Sequence, residues 1–294
     1  MAKILDGKIV AEQIQDEIKE RIKDLKKKNT VPGLSVVLVG DDPASKVYVN
    51  MKEKACEKLG INSYPVRLPK NTSPEDLVEK IEELNNDKNI HGILVQHPIP
   101  NIKDENMVFN TILPQKDVDC FHSFNVGNLV KGGAIFSPCT PAGIVVLLNR
   151  FDIDVKGMHA VIVGRSNIVG KPLANMLVQK SRGANSTVTV VHTGTPDITV
   201  FTRQADLLVV AAGKPGAVTG EDIKSGAVVV DVGVNRVEDK SRKSGYRLIG
   251  DVDFDSAKEK ASAITPVPGG VGPMTITMLM HNTVMAAENF GNHG

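Results

Sequence analysis

The chain carries almost no excess charge: 35 Lys and Arg stand against 34 Asp and Glu over 294 residues, leaving +1. Without a basic patch, a nucleic-acid partner is not expected. The tract Lys26-Lys27-Lys28 reads as the solvated end of a helix, where cations also suit the dipole. Cysteine is scarce. Cys56, Cys120 and Cys139 show neither metal-ligand spacing nor a disulfide framework, so no metal site is expected. No apolar signal core opens the chain, and the early acids Asp6, Glu12 and Asp16 disfavour a transit peptide. The longest hydrophobic stretch, near the C-terminus, is broken by His281 and Asn282 and is too short to span a bilayer. Internal repeats and low-complexity tracts are also missing. These absences leave a globular protein with no membrane partner, expected in the cytoplasm and long enough for about two domains.

What is present alternates. Ile9/Val10, Ile14, Ile18, Ile22 and Leu25 recur every three or four positions and predict an amphipathic first helix. The run from Leu34 to Gly40 predicts a buried strand, followed by a helix from Ala44 to Leu59 and a strand at Tyr64–Leu68. Ser73-Pro74-Glu75-Asp76 is a helix start, and His91–Gln96 is the next buried strand. The alternation restarts with Ala160–Val163, Thr187–Val191, Leu207–Ala211 and Val228–Val232, so a second α/β sheet occupies about 150–265. A helix over Gly143–Leu148, opened by Pro138-Cys139-Thr140-Pro141, joins the halves. The predicted fold is α/β, with two α/β lobes around a cleft, the second of them a Rossmann-like dinucleotide-binding domain.

Thr265-Pro266-Val267-Pro268-Gly269-Gly270-Val271-Gly272-Pro273-Met274-Thr275 cannot be a helix or strand interior, yet an apolar helix follows from Met274. A stiff turn and a ligand-facing loop are both open readings. Gly164-Arg165-Ser166-x-x-Val169-Gly170 after the strand Ala160–Val163 is a glycine turn opening a helix. Ser166 stands where the usual dinucleotide fingerprint has its middle glycine. No Asp or Glu occurs between Lys156 and Pro196, so a carboxylate for a ribose diol is missing. Arg165 and Thr193 suit a 2′-phosphate instead, which points to NADP; a plain surface charge remains the other reading of Arg165.

Tyr48 and Lys52 stand at i and i+4 on one helical face. A phenol ring can stack on an aromatic substrate, and an amine can serve as acid or base, although a lysine on such a helix is ordinarily a solvated charge. Gln96 falls just past a strand end, where α/β sheets place ligands. His97 is either a second base or a solvated residue, and Asp119 either a loop acid or a recognition carboxylate.

Taken in order, Asp41-Asp42-Pro43-Ala44-Ser45 with Tyr48-x-x-x-Lys52, Val95-Gln96-x-Pro98, Asp117-Val118-Asp119, Pro138-Cys139-Thr140-Pro141, the Gly164–Gly170 turn and Pro268–Thr275 resemble the bifunctional methylenetetrahydrofolate dehydrogenase/methenyltetrahydrofolate cyclohydrolase family over nearly the whole chain. The resemblance implies a folate-binding catalytic domain over 1–140 plus 274–294 and an NADP-binding domain over 141–273. It implies tetrahydrofolate derivatives as substrates, with Lys52 as general base and Gln96 orienting it. Asp119 would hold the pterin edge and Tyr48 would stack on the aminobenzoyl ring. Val95, His97, Pro268, Gly269 and Gly270 are implied on the substrate side. Gly164, Arg165, Ser166, Gly170, Thr193 and Val234 are implied on the cofactor side, and a homodimer is the family's habit. Two residues depart from the family: His97 for its Leu and Cys120 for its Gly. A dehydrogenase lacking the hydrolase activity, a dehydrogenase of a shikimate-like acid and a nucleotide-sensing module without catalysis are the rival readings.

Overall fold

The computed structural model describes residues 2–242 and 245–290. In chain order its first elements are β1 (Lys3–Ile4), α1 (Gly7–Lys27), β2 (Gly33–Val39), α2 (Pro43–Leu59), β3 (Asn62–Leu68), α3 (Pro74–Asn86) and β4 (Gly92–Val95). Next come α4 (Glu105–Thr111), α5 (Ser123–Lys131), α6 (Cys139–Arg150), β5 (His159–Val163), α7 (Gly170–Leu177), β6 (Thr187–Val191), α8 (Thr199–Thr202) and β7 (Leu207–Val210). The chain closes with β8 (Val228–Asp231), β9 (Asn235–Glu238), β10 (Tyr246–Ile249), α9 (Phe254–Lys260), β11 (Ala263–Ile264) and α10 (Val271–Phe290). Two compact units result, Met1–Ala11 with Thr140–Thr275, and Glu12–Cys139 with Ile276–Gly294.

The first unit holds a six-stranded sheet in the order β1-β11-β8-β7-β5-β6, every pair parallel. Strands buried on both faces carry continuous aliphatic runs, which is why β5, β7 and β8 are legible as Ala-Val-Ile-Val, Leu-Leu-Val-Val and Val-Val-Val. Val161, Val163, Leu208, Val210, Val229 and Ile264 form its core with Ala257 of α9. The chain runs from β5 outward to β6 and then returns to β7 on the other side. Such a reversal opens a crevice at the carboxyl ends of the strands, where ligands of α/β sheets bind.

The second unit holds the three-stranded parallel sheet β3-β2-β4. All seven residues of β2 are buried, while β3 is an edge strand and tolerates Pro65 for that reason. Val37, Val39, Leu77, Ile81, Ile93, Val95 and Phe109 form the core. Helix α3 begins as expected, with Pro74 in its first turn and the Asp76 N–H donating to Ser73 Oγ at 3.1 Å.

Several boundaries fall elsewhere than the sequence reading puts them. Residues 1–11 sit with the six-stranded unit and not with residues 12–139, because β1 adds to β11. The N–H groups of Lys3 and Leu5 donate to the carbonyls of Ser262 and Ile264, each at 2.8 Å. Helices α6 and α10 begin at Cys139 and Val271, ahead of Gly143 and Met274. Pro141 and Pro273 lie in their first turns, where a missing N–H costs no intrahelical bond.

Lys116 ends α3. Its Nζ donates to the carbonyls of Leu84, Asn85 and Asp87 at 3.2, 2.7 and 2.8 Å, and the residue is 2 % exposed. Burial pushes the amine below the usual lysine range, opposed by the Asp87 charge. Lys116→Met strips three helix-end carbonyls of their donor, so it is expected to cost roughly 2–4 kcal/mol. The shift of the urea midpoint measures this, and an unchanged midpoint would show that the cap is dispensable.

Candidate functional site

Helix α2 carries the first group of residues in the three-stranded unit. The Asp42 carboxylate caps it by accepting from the Ser45 N–H at 2.8 Å, and Pro43 supplies the first turn. One turn apart, Tyr48 is 42 % exposed while Lys52 is 9 % exposed. The lysine is therefore not a solvated charge. Its Nζ donates to Gln96 Oε1 at 2.8 Å. Gln96 follows β4 directly, and its own N–H continues the ladder to the Val37 carbonyl at 2.8 Å. Its Nε2 donates to the His97 carbonyl at 2.8 Å, which commits Oε1 to the amine. Burial lowers the Lys52 pKa, and the Asp119 charge pulls in the opposite direction.

Asp119 is half-buried and belongs to a tight turn. The Asp117 carboxylate beneath it accepts from the N–H groups of Phe121 and His122 at 3.0 and 2.9 Å and from Asn125 Nδ2 at 2.8 Å. Burial raises the Asp117 pKa, and those three donors oppose the rise. Cys120 adopts φ +61°, the left-handed region that glycine enters without strain. That conformation favours glycine, the residue the family resemblance implies at this place. Asn282 of α10 donates to the carbonyls of Val118 and Ser137 at 2.8 and 2.9 Å. Asp117 and Asn282 thus hold the turn bearing Asp119, and neither is singled out by the sequence reading. Asp117 is visible as the first acid of Asp-Val-Asp, but only the fold shows it turned inward. Val95 places its side chain in the core. His97 engages Glu105, with Nδ1 at 2.7 Å from Oε2, while Oε1 accepts from the Ile99 N–H at 2.8 Å.

The second group lies in the six-stranded unit, at the carboxyl end of β5. Gly164 has φ +124°, and a Cβ there would stand 2.3 Å from the Ala211 carbonyl oxygen. A Cβ on Gly170 would stand 2.1 Å from the Gly164 oxygen, so helix and strand meet in a turn no larger residue can make. Ser166 Oγ accepts from the N–H groups of Val169 and Gly170 at 3.1 and 3.4 Å and so ties the turn to the start of α7. At the end of β6, His192 Nε2 lies 3.3 Å from Arg165 Nη1, and its Nδ1 accepts from the Gly194 N–H at 3.0 Å. The His192 N–H donates to Thr195 Oγ1 at 3.0 Å. The guanidinium has donors only, so Arg165 sets N–H groups beside exposed Thr193. An anionic group suits the Arg165 guanidinium, and no carboxylate stands in the turn. His192 is missed by the sequence reading, and its place at a strand end is the signal that points to it. Val234 follows β8 and is 45 % exposed.

Pro268, Gly269 and Gly270 close a turn in which the Gly270 N–H donates to the Pro266 carbonyl at 2.8 Å, and the Gly269 carbonyl accepts from the Gly7 N–H at 2.9 Å. Among the described residues no group of three or more His, Cys, Asp or Glu side chains could hold a metal ion. No helix among them is long and apolar enough to cross a membrane.

Two family models match the chain. One, tetrahydrofolate dehydrogenase/cyclohydrolase, catalytic domain, covers residues 5–119. The other, tetrahydrofolate dehydrogenase/cyclohydrolase, NAD(P)-binding domain, covers residues 138–290. The bifunctional protein FolD of Chloroherpeton thalassium is 55 % identical over 290 residues, 98 % of this chain and 99 % of that protein. The solved bifunctional FolD dehydrogenase/cyclohydrolase of Campylobacter jejuni superposes with a TM-score of 0.92 at 47 % identity, covering 99 % of this chain and all of that one. The Trypanosoma brucei enzyme, solved with NADP and an inhibitor, gives a TM-score of 0.93 at 40 % identity, covering 99 % and 98 %. With both family models matched and this degree of identity along nearly its whole length, the chain belongs to the tetrahydrofolate dehydrogenase/cyclohydrolase family.

Proposed function

We infer that this chain oxidises 5,10-methylenetetrahydrofolate with NADP and hydrolyses the resulting 5,10-methenyl cation to 10-formyltetrahydrofolate. The observation that carries the hydrolytic half is the buried Lys52 amine, held 2.8 Å from Gln96 Oε1 at the carboxyl edge of a parallel sheet. Burial favours the neutral amine, and a neighbouring substrate cation favours it further. Neutral Nζ can take a proton as water adds to the methenyl carbon. The adduct's hydroxyl then gives up its proton as the formyl C=O forms, the carbon–N5 bond breaks, N5 takes the electron pair and that proton, and the formyl group remains on N10. Gln96 Oε1 keeps Nζ oriented throughout, since its amide is anchored on the His97 carbonyl. Asp119, beside the amine, is proposed to hold the pterin's N–H edge, and exposed Tyr48 to stack on the aminobenzoyl ring.

The six-stranded unit fits the dinucleotide. The Gly164–Gly170 turn leaves no room for a side chain at either glycine, and Arg165 brings a donor-only guanidinium beside it. NADP supplies hydride acceptance when bound. Gly164, Ser166 and Gly170 are proposed to face its pyrophosphate, Arg165 and Thr193 its 2′-phosphate, and Val234 its nicotinamide end. Val95, His97, Pro268, Gly269 and Gly270 are assigned to ligand binding on the family resemblance alone. That resemblance also supports a cytoplasmic homodimer.

Lys52→Met is expected to lower methenyl hydrolysis by about 100-fold or more while hydride transfer persists, followed as methenyl decay against NADPH absorbance. Full hydrolysis in that variant would sink the Lys52 assignment. The same variant also tests the burial penalty. The folded pKa lies below the unfolded one, so the penalty is complete below the folded pKa and fades as pH rises through it. Lys52→Met should therefore gain thermal stability at neutral pH and gain less toward the ordinary lysine range. Arg165→Ala should weaken NADP by about tenfold or more and leave NAD little changed; equal losses in fluorescence titration count against a phosphate role. Sedimentation should show a particle of twice the 31.6 kDa chain, and a monomer would refute the dimer.

A further inference from the structure

The loops after β7 and β8 are tied down by two inward-facing aspartates. Asp231 closes β8 and is 4 % exposed, and Asp251 is fully buried. Asp231 Oδ1 accepts from the N–H groups of Gly233 and Asp251, and Oδ2 from that of Val252, all at 2.9 Å. Asp251 Oδ2 accepts from the N–H groups of Ala212 and Gly213, both at 2.7 Å, and Oδ1 from Asn235 Nδ2 at 2.8 Å. A Cβ on Gly250 would stand 1.8 Å from Asp231 Oδ2, so the carboxylate fills that space. Among the described residues neither aspartate forms an ion pair with a cationic side chain.

Two neighbouring buried carboxylates without a cation are an expensive way to hold a loop. Burial, with the Asp251 charge adding to it, pushes the Asp231 pKa up to about 6. What the arrangement achieves is an orientation. The peptides preceding Gly213 and Gly233 are trans, so each C=O points opposite to its N–H. Drawing the N–H groups of Gly213 and Gly233 onto the carboxylates turns the carbonyls of Ala212 and Val232 away from them. Both lie at the carboxyl end of the parallel sheet, with Ala212 exposed and Val232 half-buried.

We propose that Asp231 and Asp251 are positioning residues for the nicotinamide end of the cofactor, turning the carbonyls of Ala212 and Val232 toward it as acceptors. Carbonyl oxygens suit the N–H groups of a carboxamide and the positive charge of an oxidised pyridinium ring. This rests on the NADP reading given above, and deepens it. On that reading the adenosine end lies at Arg165 and His192, just past β5 and β6, so the two ends of the cofactor are separable.

Binding of NADP and of 2′,5′-ADP, which lacks the nicotinamide, is compared in Asp251→Ala and Asp251→Asn. Asp251→Ala is expected to weaken NADP by at least tenfold and 2′,5′-ADP by less than twofold, with methenyl hydrolysis retained. Asp251→Asn, which keeps an oxygen for the Ala212 and Gly213 N–H groups, should recover most of the loss. Equal weakening of both ligands, or of neither, overturns the proposal. If Asp251→Ala does not fold, Asn235→Ala removes one bond to the same carboxylate and should give the same contrast at about threefold; no contrast there overturns it too. A wild-type protein that binds neither ligand would remove the NADP reading itself, an outcome distinct from a variant that fails to discriminate.

Discussion

Loops at the carboxyl ends of parallel strands leave backbone N–H groups that no neighbouring strand can accept, and this chain satisfies them with buried carboxylates. Asp117 does so in the three-stranded unit, and Asp231 with Asp251 in the six-stranded one. A carboxylate accepts several N–H groups from different segments at once, which a carbonyl in a ladder does not. The functional turns follow from this. Asp119 stands where the Asp117 cage puts it, and the segments after β7 and β8 stand where Asp251 and Asp231 put them. Each site is fixed from behind, by groups that need not touch a ligand.

The Lys52 amine meets the opposite problem. It is a would-be cation in a buried place, with one neutral acceptor, Gln96 Oε1, and one nearby charge, Asp119. Burial favours the neutral form, and Asp119 favours the charged one. A balance of this kind lets a lysine change protonation state within a catalytic cycle rather than remain a fixed charge. Gln96 suits the place because an amide oxygen accepts from either form without adding charge.

The parts of the fold that are legible in the sequence share one cause: strands buried on both faces write long aliphatic runs. Val36–Val39, Ile93–Val95, Ala160–Val163 and Val228–Val230 are such runs, and each falls in a sheet. Short or half-exposed elements leave weaker marks. β1 has two residues, too few for a period, yet its pairing with β11 decides where residues 1–11 belong. The ribbon of β9 and β10 sets Arg236, Glu238 and Arg247 among half-buried residues and carries no aliphatic run longer than Leu248-Ile249. In the site, Tyr48, Lys52, Gln96 and Asp119 stand in motif order, but that order does not tell a buried amine from a solvated one. The roles of Asp117, Asp231, Asp251 and Asn282 are illegible for a related reason. Their role lies in the direction their side chains take, and nothing in local spacing encodes it.

All three thiols are buried, and all lie within Glu12–Cys139, the chain's first stretch of the three-stranded unit. Burial pushes Cys56 up to about 12 and raises Cys120 and Cys139 as well. Since the thiolate is the nucleophile, burial and the raised pKa values shield all three from an alkylating reagent while that unit stays closed. Cysteine modification therefore acts as a clock on the opening of one half of the molecule, to which the six-stranded half contributes no signal.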